Sequence, residues 1–229
     1  MFVELQNISK YYGNKGNNSR REVLNNISLS VHPGDSIAIV GPSGSGKSTL
    51  LNIIGTLDTP TSGIVRFNDK EVNTLSEPAL ANIRNQHIGF VFQMHYLLPQ
   101  LSLIENVLIP AIPQKDKAKR KTAGARAMDL LNQVGLADKI HQFPGQMSVG
   151  ECQRVAVVRA LINEPELILA DEPTGSLDHD SAEQLGDLLV EIKKNFSVAI
   201  IVVTHSSELA GRMNKTFRLI SGKLVPLNE

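Results

Sequence analysis

Apolar and polar positions in this chain alternate in short blocks, and the period changes wherever glycine, proline or serine intervenes. Residues 2–10 set Phe2, Leu5 and Ile8 among polar neighbours and predict a first strand; residues 23–31 predict a second. Between them residues 13–22 form a polar loop, and His32-Pro33-Gly34-Asp35 is a turn into a third strand carrying Ile37, Ile39 and Val40. That close spacing predicts an antiparallel sheet flanking the third strand. A helix over 49–54, a strand over 64–67, a helix over 77–85 and a short buried strand over 88–92, ending on Gln93, follow. From Met94 to about Gln146 no strand-like run is found. A short helix over 105–109 stops at Pro110, and a longer one over 115–134 carries an apolar stripe through Ala127, Leu130, Leu131 and Val134. The pattern is that of a helical insertion in an α/β chain. A helix over 152–163, a strand over 167–170, a helix over 181–194, an apolar strand over 198–204 and a hairpin around Ser221-Gly222-Lys223 complete it.

The length of 229 residues suits one large domain or a core with an inserted subdomain. Lys+Arg 23 against Asp+Glu 23 argues against a protein built mainly to grip nucleic acid, and the basic run at 115–121 reads as a solvated helix face. A single cysteine, Cys152, forbids an internal disulfide and offers no metal cluster. Neither a signal peptide nor an apolar run of membrane-spanning length is present. The expectation is a cytoplasmic polypeptide whose membrane association comes from a partner.

The densest chemistry lies between the third strand and its helix. Gly41-Pro42-Ser43-Gly44-Ser45-Gly46-Lys47-Ser48 matches the phosphate-binding loop G-x-x-x-x-G-K-[ST], with Thr49 opening the helix-forming run. Glycines let the backbone wrap an anion with its N–H groups inward, and the helix start adds the positive end of its dipole. Lys47 offers a point charge for the β- and γ-phosphates, and the Ser48 hydroxyl is a hard ligand for Mg²⁺. An apolar strand, Leu167-Ile168-Leu169-Ala170, ends on Asp171-Glu172, where an aspartate can steady Mg²⁺ and the next glutamate can take a proton from an attacking water. Two carboxylates at a strand end also suit a solvated turn. The strand over 198–204 ends on His205, at the strand end where open α/β sheets place ligands; a γ-phosphate contact is favoured over a plain surface histidine. Ser148 and Glu151 fit a capping box opening the helix that follows.

Taken in order, the P-loop, Gln93 at a strand end, the helical insert, Ser148-Val149-Gly150-Glu151, the run from Asp171 to Asp178 and His205 resemble the ATP-binding-cassette (ABC) ATPase family over the whole chain. Gly55-Thr56-Leu57-Asp58-Thr59-Pro60-Thr61-Ser62-Gly63 and Glu105-Asn106-Val107 look like the branch of lipoprotein-releasing, macrolide-export and cell-division ATPases of bacterial inner membranes. The resemblance implies an α/β P-loop NTPase fold with a parallel core sheet, a flanking antiparallel sheet and a helical subdomain. Residues 1–93 and 157–229 would form the core and 94–156 the helical signature subdomain. It implies ATP and Mg²⁺ as ligands. Tyr12 would stack on adenine, with Tyr11 as fallback. Gln93 would meet Mg²⁺ and the attacking water, beside Ser48 and Asp171. Ser148, Gly150 and Glu151 would contact the γ-phosphate held by a second copy of the chain, and Asp178 would cross that interface. Met94-His95-Tyr96-Leu97-Leu98-Pro99 would border a groove for an integral-membrane permease, holding the chain on the cytoplasmic face of the inner membrane. The function implied is ATP hydrolysis driving that permease, with no nucleic-acid partner. A regulatory module signalling to a membrane partner without transport, as in the cell-division relatives, is the alternative. A ribosome- or DNA-directed ABC protein fits less well, given one cassette and neutral charge. The chain departs from the family pattern at Val149, where glycine is usual; a helix start there predicts a negative, helix-like φ.

Overall fold

The computed structural model describes residues 2–13, 21–114 and 116–227. Most of the polar loop expected over 13–22, and Lys115 at the front of the predicted basic helix, lie outside them. In chain order the elements are β1 (Val3–Tyr12), β2 (Arg21–Val31), β3 (Ser36–Val40), α1 (Lys47–Ile54), β4 (Ser62–Phe67), β5 (Lys70–Glu71), α2 (Glu77–His87) and β6 (Ile88–Phe92). Then follow α3 (Leu103–Leu108), α4 (Lys117–Gln133), α5 (Val149–Leu161), β7 (Leu167–Asp171), α6 (His179–Phe196), β8 (Ala199–Val203), α7 (Ser207–Gly211), β9 (Lys215–Ile220) and β10 (Lys223–Pro226). Two compact units result: Met1–Ala81 with Ala199–Glu229, and Asn82–Val198.

In the first unit β1 pairs antiparallel with β2 on one side and β4 on the other, and β5 closes the edge. Leu5 and Ile8 are both buried although their spacing is not that of a regular strand. The register slips between them, because Asn7 takes φ 53 and Asn26, on the facing strand, φ 50. Asparagine tolerates this left-handed geometry, and the bulges are tied down by Asn7 N–H donating to Ser28 Oγ and Asn26 N–H to Ser9 Oγ. β3 belongs to a different arrangement, parallel to β8 on one side and to β9 on the other. It is buried from Ser36 to Ile39, and β8 is buried throughout, as expected for strands covered on both faces. β9 turns into β10 through Ser221 (φ 48) and Gly222 (φ 75), the positive pair that suits a two-residue hairpin. α1 buries Leu50, Leu51, Ile53 and Ile54, about 1.5–3 kcal/mol each, which anchors the helix whose start matters below.

The second unit is organised around α5. Its Cys152, Val155, Ala156, Val157, Val158, Ala160 and Leu161 are all buried, and Gln153 with them, so most of its circumference is packed, as a central helix must be. β6 and β7 pair in parallel beside it. Among the described residues no strand lies between β6 and β7, in keeping with the expected helical stretch. Capping side chains set the starts of three helices. Ser148 caps α5 at Val149 and Asp178 caps α6 at His179, each earlier than the apolar pattern indicates, and Ser206 caps the short α7, which the pattern alone does not predict.

Candidate nucleotide site

In the first unit the loop of residues 41–48 leaves β3 and re-enters as α1. Gly46, the residue before the helix, has φ 103, and a Cβ there would stand 2.9 Å from Val23 Cγ1 and from its carbonyl oxygen, so only glycine fits. Gly46 gives α1 no side-chain cap and no acidic residue occupies its first turn, which leaves the helix start electropositive toward the loop. Lys47 is buried at 6% exposure, with its ammonium donating to the carbonyls of Gly41 (3.0 Å) and Pro42 (3.3 Å). The third neighbour is His205 Nε2 at 3.1 Å. An ammonium only donates, so in this contact Nε2 takes the acceptor role. The pairing of Ile39 with Val203 explains the meeting: β3 and β8 end side by side, and Gly41 and His205 follow them out of the sheet.

Tyr12 ends β1 and is 45% exposed. Its hydroxyl donates to Asp58 Oδ2 (2.8 Å), and Lys10 Nζ donates to Asp58 Oδ1 (2.6 Å) and to the Thr59 carbonyl (2.7 Å). Lys10 Nζ also lies 5.0 Å from the centre of the Tyr12 ring, a cation–π distance. Burial works against the Asp58 carboxylate, but Lys10 and Tyr12 together hold its pKa below the ordinary value. Burial and the Asp58 hydrogen bond raise that of Tyr12, which stays a neutral donor. Tyr11 instead donates to Glu22 Oε1 at 2.5 Å. The Lys10–Asp58 brace carries no local signal in the sequence, where Asp58 is one residue of the run from Gly55 to Gly63.

In the second unit Phe92 pairs with Asp171, so Gln93 and Glu172 leave adjacent parallel strands at the same level. Glu172 has φ 47, an uncommon conformation for a residue with a Cβ, and the chain turns sharply there into Pro173. Two successive turns, Gly175 N–H to Glu172 O and Leu177 N–H to Thr174 O, fold the loop back. It ends on Asp178, whose Oδ1 caps Ser181 N–H (3.0 Å) while Oδ2 accepts from Ser181 Oγ (2.7 Å). Those hydrogen bonds from Ser181 hold the Asp178 pKa down.

The predicted capping box at α5 is present. Ser148 Oγ accepts from Glu151 N–H (3.2 Å) and Glu151 Oε2 accepts from Ser148 N–H (2.9 Å). Lys139 Nζ adds a 2.5 Å bond to Glu151 Oε1, and this with the Ser148 N–H keeps the Glu151 pKa below its usual value. Val149 is the first residue of α5, is not among the residues of positive φ, and is 52% exposed. Gly150 is the position with no room: a Cβ there would lie 2.7 Å from Ser181 Oγ, the hydroxyl held by Asp178. The valine is therefore tolerated where a side chain points outward, and glycine is retained where α5 meets the start of α6.

The structure thus brings Lys47 together with His205, and Gln93 together with Asp171 and Glu172. Comparison with known proteins gives the family. Residues 24–175 match the protein family described as ABC transporter. The lipoprotein-releasing system ATP-binding protein LolD of Geobacter metallireducens is 46% identical over 223 residues, 97% of this chain and 97% of the relative. LolD of Syntrophus aciditrophicus is also 46% identical, over 97% and 98% of the two chains. Among solved structures, the bacterial ABC transporter cassette MJ0796 in its dimeric form superposes with a TM-score of 0.85 at 38% identity, covering 97% of this chain and 96% of the other. The same cassette, as a dimer in a post-hydrolysis state bound to ADP and Pi, gives 0.83 at 36% identity over the same shares. With its α/β P-loop fold and these relatives along its whole length, the chain belongs to the ABC transporter family and is an ATP-binding subunit with ATPase activity.

Proposed function

We propose that this subunit closes, as two copies around two ATP molecules, to drive a separate integral-membrane permease of the lipoprotein-release type. The observation that carries the nucleotide reading is the bare, electropositive start of α1 with the Lys47 ammonium drawn into the loop beside it. Tyr12, braced by Asp58, offers its ring to adenine. The loop of Gly41, Pro42, Ser43, Gly44, Ser45, Gly46, Lys47, Ser48 and Thr49 takes the phosphates, and His205 contacts the γ-phosphate. Ser48, Gln93 and Asp171 are hard oxygen donors of the kind Mg²⁺ selects, and these residues would hold it. When bound, Mg²⁺ neutralises charge on the β- and γ-oxygens. Glu172 takes the proton of the attacking water. Residues 94–156 form the signature subdomain, from which Ser148, Gly150 and Glu151 meet the γ-phosphate held by the second copy; Asp178 lies at that interface. Dimeric solved relatives and the name of the curated ones support this reading.

No helix among the described residues is long and apolar enough to cross a membrane. The chain then reaches the cytoplasmic face of the membrane through the permease. The exposed side chains of Met94, Tyr96 and Leu98 offer an apolar surface for a permease helix. Self-association tests the composite site. With Glu172 replaced by glutamine, light scattering should find a monomer without nucleotide and a dimer with ATP. A monomer in both conditions, well above the nucleotide Kd, would count against the shared site. Extraction of a lipoprotein from a bilayer by the reconstituted complex tests the substrate class; ATP turnover without extraction would favour the regulatory alternative.

Val149 yields a second expectation. Helix position N1 needs no special φ and the side chain faces outward, so Val149→Gly should raise steady-state ATPase at most several-fold, less than ~1.4 kcal/mol in the barrier. An increase of a hundredfold or more, measured with the permease present, would mean that valine holds hydrolysis back.

A further inference from the structure

Gln93 is held from three sides by residues that the motif reading leaves without a role. Ser176 Oγ donates to the Gln93 carbonyl at 2.9 Å. Gln153 Nε2 donates to the carbonyl of Phe92, the preceding residue, at 2.7 Å. Gly175 lies against the side chain: a Cβ there would stand 3.0 Å from Gln93 Nε2 and 3.3 Å from its Cδ. The three contacts come from two places in the fold, α5 and the loop before α6. Gln153 projects from α5, five residues past Ser148, and is fully buried at 0% exposure. Ser176 and Gly175 sit in the doubly turned loop between Glu172 and Asp178.

A buried amide among the buried valine, alanine and leucine side chains of this helix carries a desolvation cost, and apolar packing alone would be met better by leucine. Its Oε1 is buried with no hydrogen-bond partner among the described residues, so what Gln153 provides in this geometry is its donor, directed at a strand-end carbonyl. That bond fixes where β6 ends. The Ser176 bond fixes the next peptide, and the bare Gly175 leaves the amide its space. We propose that Ser176 and Gln153 are positioning residues for Gln93, clamping consecutive carbonyls so that its side-chain amide is presented in one orientation. The proposal rests on the reading of Gln93 as the residue that meets Mg²⁺ and the attacking water.

The test is steady-state ATPase of the purified full-length chain, with ATP and Mg²⁺ varied separately. Ser176→Ala should lower kcat about tenfold, the scale of one lost hydrogen bond at a position where orientation matters, while KM for ATP stays within about twofold. The half-saturating Mg²⁺ concentration should rise. Ser176→Thr, which keeps the hydroxyl, should restore kcat. Gly175→Ala, which crowds the amide and leaves every hydrogen bond intact, should act in the same direction. Ser176 and Gly175 are exposed, so neither variant threatens folding. In the double variant Gln93→Ala/Ser176→Ala the Ser176 effect should vanish, because nothing is left to position. If Gln93→Ala slows turnover but Ser176→Ala and Gly175→Ala match the wild type, or if the two losses multiply, the clamp is overturned and the reading of Gln93 stands. If Gln93→Ala is itself without effect, both fall together.

Discussion

Glu172→Gln is expected to bind ATP as the wild type does and to hydrolyse it at least about 10²-fold more slowly. The substitution keeps the size and planarity of the side chain and removes only the capacity to accept a proton. The backbone argues that this position is chosen for presentation. Asp171 still belongs to β7, paired with Phe92, whereas Glu172 leaves the strand at φ 47. A left-handed residue bearing a Cβ costs about 1 kcal/mol or more, and a plain solvated turn at the end of β7 would place glycine or asparagine there. Glutamine meets the same backbone requirement with the same strain, so any loss of turnover reports on the carboxylate. Single-turnover phosphate release and nucleotide titration of the two proteins make the comparison. Unaltered turnover would remove Glu172 from the mechanism and return the Asp171-Glu172 pair to a solvated turn.

What the sequence made legible, and what it did not, divides by range. The loop of residues 41–48 and the capping box at Ser148 are each written within a few consecutive residues, because the backbone geometry they need is local. The strands carrying Gln93 and Asp171 were equally visible as apolar runs with abrupt ends. Their pairing, which sets Gln93 beside Glu172, is a property of the sheet and has no local mark. The bulges at Asn7 and Asn26 were hidden for a related reason: they change the burial period inside one strand, which a strict alternation rule reads as noise. Gln153 is the clearest case. At the sequence level it is one polar residue in an apolar helix, and only its distance to the Phe92 carbonyl gives it a purpose. The brace of Lys10 and Asp58 under Tyr12 joins residues 48 positions apart. Gly150 is the reverse case: the departure from the family pattern is at Val149, but the space constraint lies at Gly150, against Ser181.

Lys47→Ala is expected to abolish turnover and to weaken nucleotide binding together, by at least about tenfold in Kd, since charge-assisted hydrogen bonds contribute about 1.5–3 kcal/mol each and 1.4 kcal/mol is a factor of ten. Two effects combine in that variant. One is the loss of the cation that faces the phosphates. The other is local: the carbonyls of Gly41 and Pro42 lose the ammonium that draws them inward, and His205 loses this contact. Lys47→Met separates them in part, since it keeps the stem that fills the site at 6% exposure and removes only the charge. Similar losses of affinity in the two variants would assign the effect to the cation; a milder loss in Lys47→Met would assign part of it to packing of the loop. His205→Ala supplies the contrast, because His205 is read as touching only the γ-phosphate. It should leave ADP affinity near the wild-type value and slow hydrolysis, whereas both Lys47 variants weaken ADP and ATP alike through the β-phosphate. Nucleotide titration with ADP and ATP, alongside phosphate release, distinguishes the cases. If Lys47→Ala retains both binding and turnover, the loop does not hold the phosphates and the nucleotide reading of this end of β3 fails.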